Sequence, residues 1–134
     1  MEFRSQVCTT RKQSERLMTL GLKKDTADCH WCYHSITATW YVVAHNYDGI
    51  GGYIPAWSLN RLMDICPQFI HLDEYADTYY RLTINPLKVI YIRDDKQWLK
   101  QCDEGNMYDR MIDMIEWLIE NNYINKEYLE LQHV

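Results

Sequence analysis

The densest run of chemistry-bearing side chains is Cys29-His30-Trp31-Cys32-Tyr33-His34. Zinc takes four cysteine or histidine ligands in a tetrahedron. Cys29, Cys32 and His34 offer three from one short stretch, with Cys66 or His71 as a distant fourth. Such a site would tie two segments together. The pattern is incomplete, because a structural zinc site carries a second closely spaced pair and Cys66-Pro67-Gln68-Phe69-Ile70-His71 is a poor one. The competing expectation is buried thiols acting as small hydrophobes beside partly exposed histidines. As a redox pair, Cys29 and Cys32 need a preceding apolar strand and a following helix that lowers a thiolate pKa, and Lys23-Lys24-Asp25-Thr26-Ala27-Asp28 is no such strand. The chain is therefore expected to carry no cofactor, with zinc as the alternative.

Other candidate chemistry is thinner. Gly49-Ile50-Gly51-Gly52 resembles a phosphate-cradling loop, but the glycine spacing fits neither the dinucleotide fingerprint nor the P-loop, and no lysine follows. Asp48, Asp64, Asp73, Glu74 and Asp77 stand in no catalytic spacing, and Ser58 lies between Trp57 and Leu59 where a nucleophile elbow needs glycines. A binding role reads more clearly. Asp109, Asp113, Glu116 and Glu120 recur at three- and four-residue intervals along one helix face, where like charges need solvent, a base or a partner. Trp117 lies just beyond that strip. An exposed Trp117 beside Asp113 and Glu120 anchors a basic, partly apolar surface, whereas packing on Tyr123, Tyr128 or Leu129 would hide it.

These residues depend on elements that the sequence marks locally. Thr10-Arg11-Lys12-Gln13 is a capping box that starts a helix at Arg11, and Gly21 stops it after Leu20 in a Schellman closure that brings Leu22 to Leu17. Residues 23–35 fit a loop or a short helical turn. Residues 36–44 are rich in β-branched and aromatic side chains and read as a strand. Pro55 opens a helix over 55–65, bearing Trp57, Leu59, Leu62, Met63 and Ile65, and Pro67 ends it. Residues 68–77 form a connection. Residues 78–84 and 88–93 are a hairpin turned by Asn85-Pro86-Leu87, and Trp98 and Leu99 fit a third strand or a helical turn. Tyr108, Met111, Ile112, Ile115, Leu118 and Ile119 set a buried stripe on a helix over 108–121.

The chain has 134 residues and a mass of 16.2 kDa, the size of one domain with one core. Its net charge is −5. The first 24 residues carry six basic side chains against two acidic ones, so the rest is strongly acidic. Such a body argues against phosphate-backbone binding, which makes nucleic acid an unexpected partner. The longest apolar stretch, Trp40 to Ala44, is too short to span a bilayer, and the amino end lacks the apolar segment of a secretory signal. A cytoplasmic location is expected, and five scattered cysteines agree with a reducing compartment. Eleven tyrosines and five tryptophans against two phenylalanines suit either a half-exposed sheet face or an interface.

Three stretches together resemble a family of short uncharacterised proteins of gut Bacteroides-type bacteria and their phages or mobile elements. They are Thr9-Thr10-Arg11-Lys12-Gln13-Ser14-Glu15-Arg16-Leu17 through Leu20-Gly21-Leu22 and Thr26-Ala27-Asp28, then Ile54-Pro55-Ala56-Trp57-Ser58-Leu59, then Tyr108-Asp109 through Met114-Ile115-Glu116-Trp117-Leu118, about a third of the chain. The resemblance implies a cytoplasmic, accessory, phage-linked protein and carries over no catalytic residue or cofactor. In that family the position after Thr26-Ala27-Asp28 is more often methionine-like, which argues against a metal role for Cys29.

The expectation is one α+β domain over residues 1–134, a short antiparallel sheet (36–44, 78–84 and 88–93) covered by helices near 11–20, 55–65 and 108–121. Its expected function is non-enzymatic interaction with a protein partner or a second copy, through Trp57, Trp117, Asp113 and Glu120. The alternatives are a zinc module on Cys29, Cys32 and His34, or an enzyme whose acids and histidines meet only on folding.

Overall fold

Local signals set most elements of the computed structural model, which describes residues 6–45, 53–72 and 78–130. In chain order they are α1 (Arg11–Thr19), β1 (Cys29–His34), β2 (Thr39–Val43), β3 (Ile54–Ala56), α2 (Leu59–Ile65), β4 (Phe69–His71), β5 (Tyr79–Asn85), β6 (Lys88–Ile92), β7 (Trp98–Cys102) and α3 (Met107–Glu120). The class is α+β, as the pattern of elements predicts. Two antiparallel sheets form, ordered β2-β1-β3 and β4-β5-β6-β7. The strand expected over 36–44 therefore belongs to a different sheet from the hairpin over 78–93. Its partner in pairing is β1, from the stretch the sequence left between loop and helical turn. The chain divides into two compact units, residues 1–62 with 127–134, and residues 63–126.

In the first unit, α1 begins and ends as its residues dictate. The Thr10 hydroxyl accepts the Gln13 N–H at 3.1 Å and the Gln13 side chain accepts the Thr10 N–H at 2.9 Å. At the other end Leu22 N–H donates to the Leu17 carbonyl and Gly21 N–H to that of Met18. Gly21 sits at φ 104, a left-handed conformation that a Cβ disfavours. The helix expected from Pro55 starts later, at Leu59. Pro55 instead lies in β3, an edge strand, opposite His30, where its missing N–H breaks no ladder. The Ser58 hydroxyl accepts the Arg61 N–H and caps α2.

In the second unit, Asn85 Oδ1 accepts the N–H groups of Leu87 and Lys88 and closes the β5–β6 hairpin. A second capping box starts α3: Asn106 accepts the Asp109 N–H and Asp109 accepts the Asn106 N–H. Gly105 precedes it at φ 76, and a Cβ there would stand 2.5 Å from Asp109 Oδ2. The helix ends with Asn122 in the left-handed region and Tyr123 N–H on the Leu118 carbonyl, the same closure as α1 with asparagine in the glycine's place. The apolar stripe of α3 packs on β6 and β7, and Met111, Ile112, Met114, Ile115, Leu118, Val89 and Tyr91 are fully buried. Burial of that many large side chains dominates the stability of the unit.

Candidate functional site

A strand presents successive side chains to opposite faces, so the path of β7 decides what stands beside α3. Lys100 pairs with Tyr91 and Cys102 with Val89, both of which lie under the helix. On α3 the residues Asp113, Glu116, Trp117 and Glu120 follow the i, i+3, i+4, i+7 spacing of a single face. Together with Lys100, Cys102, Asp103 and Glu104 they line one open groove of about 430 Å³. Five carboxylates meet one lysine there, so the groove carries a net negative charge.

Trp117 forms part of its wall. The indole lies 5.4 Å from the Tyr123 ring and 6.3 Å from that of Tyr91, and it is half-buried. One side of the ring is thus packed, as the Tyr123 alternative predicts, and the remainder borders the groove. The sequence placed Trp117, Asp113 and Glu120 together, and the structure does bring them to one concavity. It could not supply Lys100, Asp103 and Glu104, because that requires knowing that Trp98–Cys102 is a strand running beside α3.

Trp57 has no part in this site. It is completely buried, with Nε1 donating to Thr26 Oγ1 at 3.0 Å, its N–H donating to Thr9 Oγ1 at 3.0 Å, and its carbonyl accepting the Thr9 N–H at 2.8 Å. The expected exposed anchor is a core residue that ties the segments around Thr9, Thr26 and α2. Its apolar area and its single N–H donor are both used internally.

Cys29, Cys32 and His34 do not converge either. All three lie in β1, where the alternation of faces separates Cys29 from Cys32 and His34. Cys29 packs with Cys8 and Ala56, against Trp31 and Val42. Cys32 pairs across the ladder with Tyr41 and His34 with Thr39, and the His34 ring nitrogen accepts the Thr37 N–H at 3.2 Å. Among the described residues no three His, Cys, Asp or Glu side chains gather as metal ligands. Burial pushes the thiols up, Cys8 to about 12 and Cys29 to about 11, the opposite of the activation that a nucleophilic or redox cysteine needs. The Tyr41 hydroxyl is raised chiefly by the neighbouring Cys32.

Ser58 is also accounted for. Its N–H and its hydroxyl both donate to the Asp28 carboxylate, and the hydroxyl oxygen accepts from Arg61. The pair joins β1's approach to the start of α2. The loop Gly49-Ile50-Gly51-Gly52, and the acids Asp48, Asp73, Glu74 and Asp77, lie outside the described residues. Comparison with known protein families, with curated proteins and with solved structures finds no match.

Proposed function

We propose that this chain is a non-enzymatic interaction module whose groove between β7 and α3 holds a basic polypeptide segment. The observation that carries the reading is the single concavity lined by Asp113, Glu116, Trp117 and Glu120 together with Asp103 and Glu104. Lysine and arginine side chains fit such a wall: their cationic ends pair with carboxylates while their aliphatic stems lie on the indole. The partner is a separate protein or a basic segment of a second copy. A cytoplasmic, accessory role linked to phage or mobile elements accords with the sequence resemblance. Among the described residues no helix is long and apolar enough to cross a membrane.

Calorimetric titration with a lysine- and arginine-rich peptide tests the reading. Binding is expected at low ionic strength and should weaken steeply as salt screens the groove, over a Debye length of about 10 Å at 0.1 M. Reversing two charges in Glu116→Lys with Glu120→Lys should abolish it. Binding unchanged by that double substitution would rule the groove out.

A further inference from the structure

The sheet β4-β5-β6-β7 has a second face, turned away from α3, and its composition is opposite in charge. Directly paired residues in an antiparallel ladder share a face. Phe69 pairs with Arg81 and Arg81 with Ile92; a register shift between Tyr91 and Ile92 then skips Leu99, breaks the alternation of β7 and pairs Ile92 with Trp98, so one row crosses all four strands in the order aromatic, cation, aliphatic, aromatic. Three strand spacings of about 4.8 Å make that row about 14 Å long. Its ends are open to solvent, Phe69 at 44% and Trp98 at 55% exposure. The Phe69 ring is braced edge-on by Tyr79 at 5.2 Å.

A groove of about 300 Å³ is lined by Ile90 and Ile92 with Arg81, Lys88 and Lys96; Arg93 borders it too, but its guanidinium stands over the Tyr80 ring at 5.8 Å. Asp94 also lines it, and Asp95 bridges Arg93 at 2.9 Å, which leaves a clear cationic excess. The acidic net charge of the chain hides this segregation: the carboxylates of α3 lie on the other side of the sheet. Thr83 and Gln101 flank Ile90 in the adjoining row and offer polar groups beside the cations.

We infer that this face binds single-stranded nucleic acid. Exposed aromatic rings at both ends of a row, beside a groove lined by Arg81, Lys88 and Lys96, match a strand whose unstacked bases lie on aromatic side chains while its phosphates meet lysine and arginine. A duplex offers its phosphates but no unstacked bases, and nothing here enters a groove of the double helix. Stacking and phosphate charge carry the binding, so DNA and RNA strands bind alike. The surface is distinct from the acidic groove and does not depend on it.

Fluorescence anisotropy with labelled oligothymidylate and oligouridylate, and with a mixed-sequence duplex of the same length, tests the inference on the full chain. Both single strands should bind, with the duplex at least about tenfold weaker and a log–log salt slope of about −2 from three cations. Trp98→Ala should weaken binding about tenfold, and Phe69→Ala similarly. Because both side chains are exposed, these variants should keep the wild-type circular dichroism. Arg81→Glu with Lys88→Glu should abolish binding. Strand binding should also quench tryptophan emission, and Trp98→Phe should remove that quench while keeping most of the affinity. Equal affinity for duplex and single strand, wild-type affinity in the aromatic variants, or a preference above tenfold between the two sugars would overturn the inference. So would sedimentation showing that Trp98→Ala dissolves a dimer, since the face would then be covered by a second copy.

Discussion

Tyr91 and Ile92, adjacent in β6, point to opposite sides of one sheet: Tyr91 is fully buried on the α3 side and Ile92 floors the cationic groove on the other. Around Tyr91 the chain gathers Trp117 and the acidic groove, and around Ile92 it gathers Arg81, Lys88 and Trp98. A single hydrogen-bonded strand thus separates two surfaces of opposite charge. The electrostatic consequence is that net charge describes neither surface, because each ligand feels chiefly the groups within about a Debye length.

Trp57 gives the clearest stability prediction. A completely buried tryptophan whose indole N–H is bonded to Thr26 should cost about 3–5 kcal/mol when truncated to alanine. Urea denaturation of Trp57→Ala measures it, and a loss below about 1 kcal/mol would contradict the burial described.

Cys66 makes stability depend on alkaline pH. Burial raises its thiol from 9.0 to about 12, with the nearby Cys102 adding to the effect. Below pH 9 both folded and unfolded chains keep the proton, so the group contributes no pH dependence. Above it the unfolded chain releases the proton and the folded chain does not, so stability falls as pH rises toward 12, with a slope approaching about 1.4 kcal/mol per pH unit from this residue. Tyr91, raised by burial and by Cys66, steepens the fall at higher pH. Urea midpoints between pH 8 and 11 should decline, and Cys66→Ala should flatten the decline.

The faces of β1 predict how cysteine substitutions affect any zinc uptake. Cys29 points away from Cys32 and His34, so Cys29→Ser should leave zinc affinity, measured by competition with a chromophoric chelator, unchanged. A stoichiometric zinc lost equally on Cys29→Ser and Cys32→Ser would contradict the strand. In the native state the five cysteines, all buried and none in a disulfide, should react slowly with a thiol reagent and completely only after denaturation.

The sequence disclosed the elements whose determinants are local. Thr10 and Gln13 start α1, Gly21 ends it, Asn85 and Pro86 turn the hairpin, and the stripe from Tyr108 to Leu118 sets α3. It failed where tertiary pairing overrides local preference. Cys29–His34 is short and mixed in polarity, and becomes a strand because β2 and β3 flank it on both sides. Ile54–Ala56 looked like a helix start because Pro55 suits that position, yet an edge strand tolerates proline equally well. The acidic groove was half legible: helical spacing puts Asp109, Asp113, Glu116 and Glu120 in one strip with Trp117 just beyond it, of which Asp109 is taken up by the α3 capping box, while Lys100, Asp103 and Glu104 come from β7 and the residues after it, a strand that the sequence left undecided. The row from Phe69 to Trp98 was invisible, since its members come from four strands and are adjacent only through register. Trp57 misled because an aromatic residue at a helix start has no mark that distinguishes an exposed anchor from a core hub.

Residue-resolved NMR of the nitrogen-15-labelled chain, titrated with a lysine- and arginine-rich peptide, tests the central claim most directly. The Trp117 indole N–H and the amides of Asp113, Glu116 and Glu120 should shift in a saturable, salt-sensitive way while the Trp57 and Trp98 indole signals stay in place. Shifts centred on Trp98 and the cationic sheet face, or no saturable shift along α3, would contradict the account.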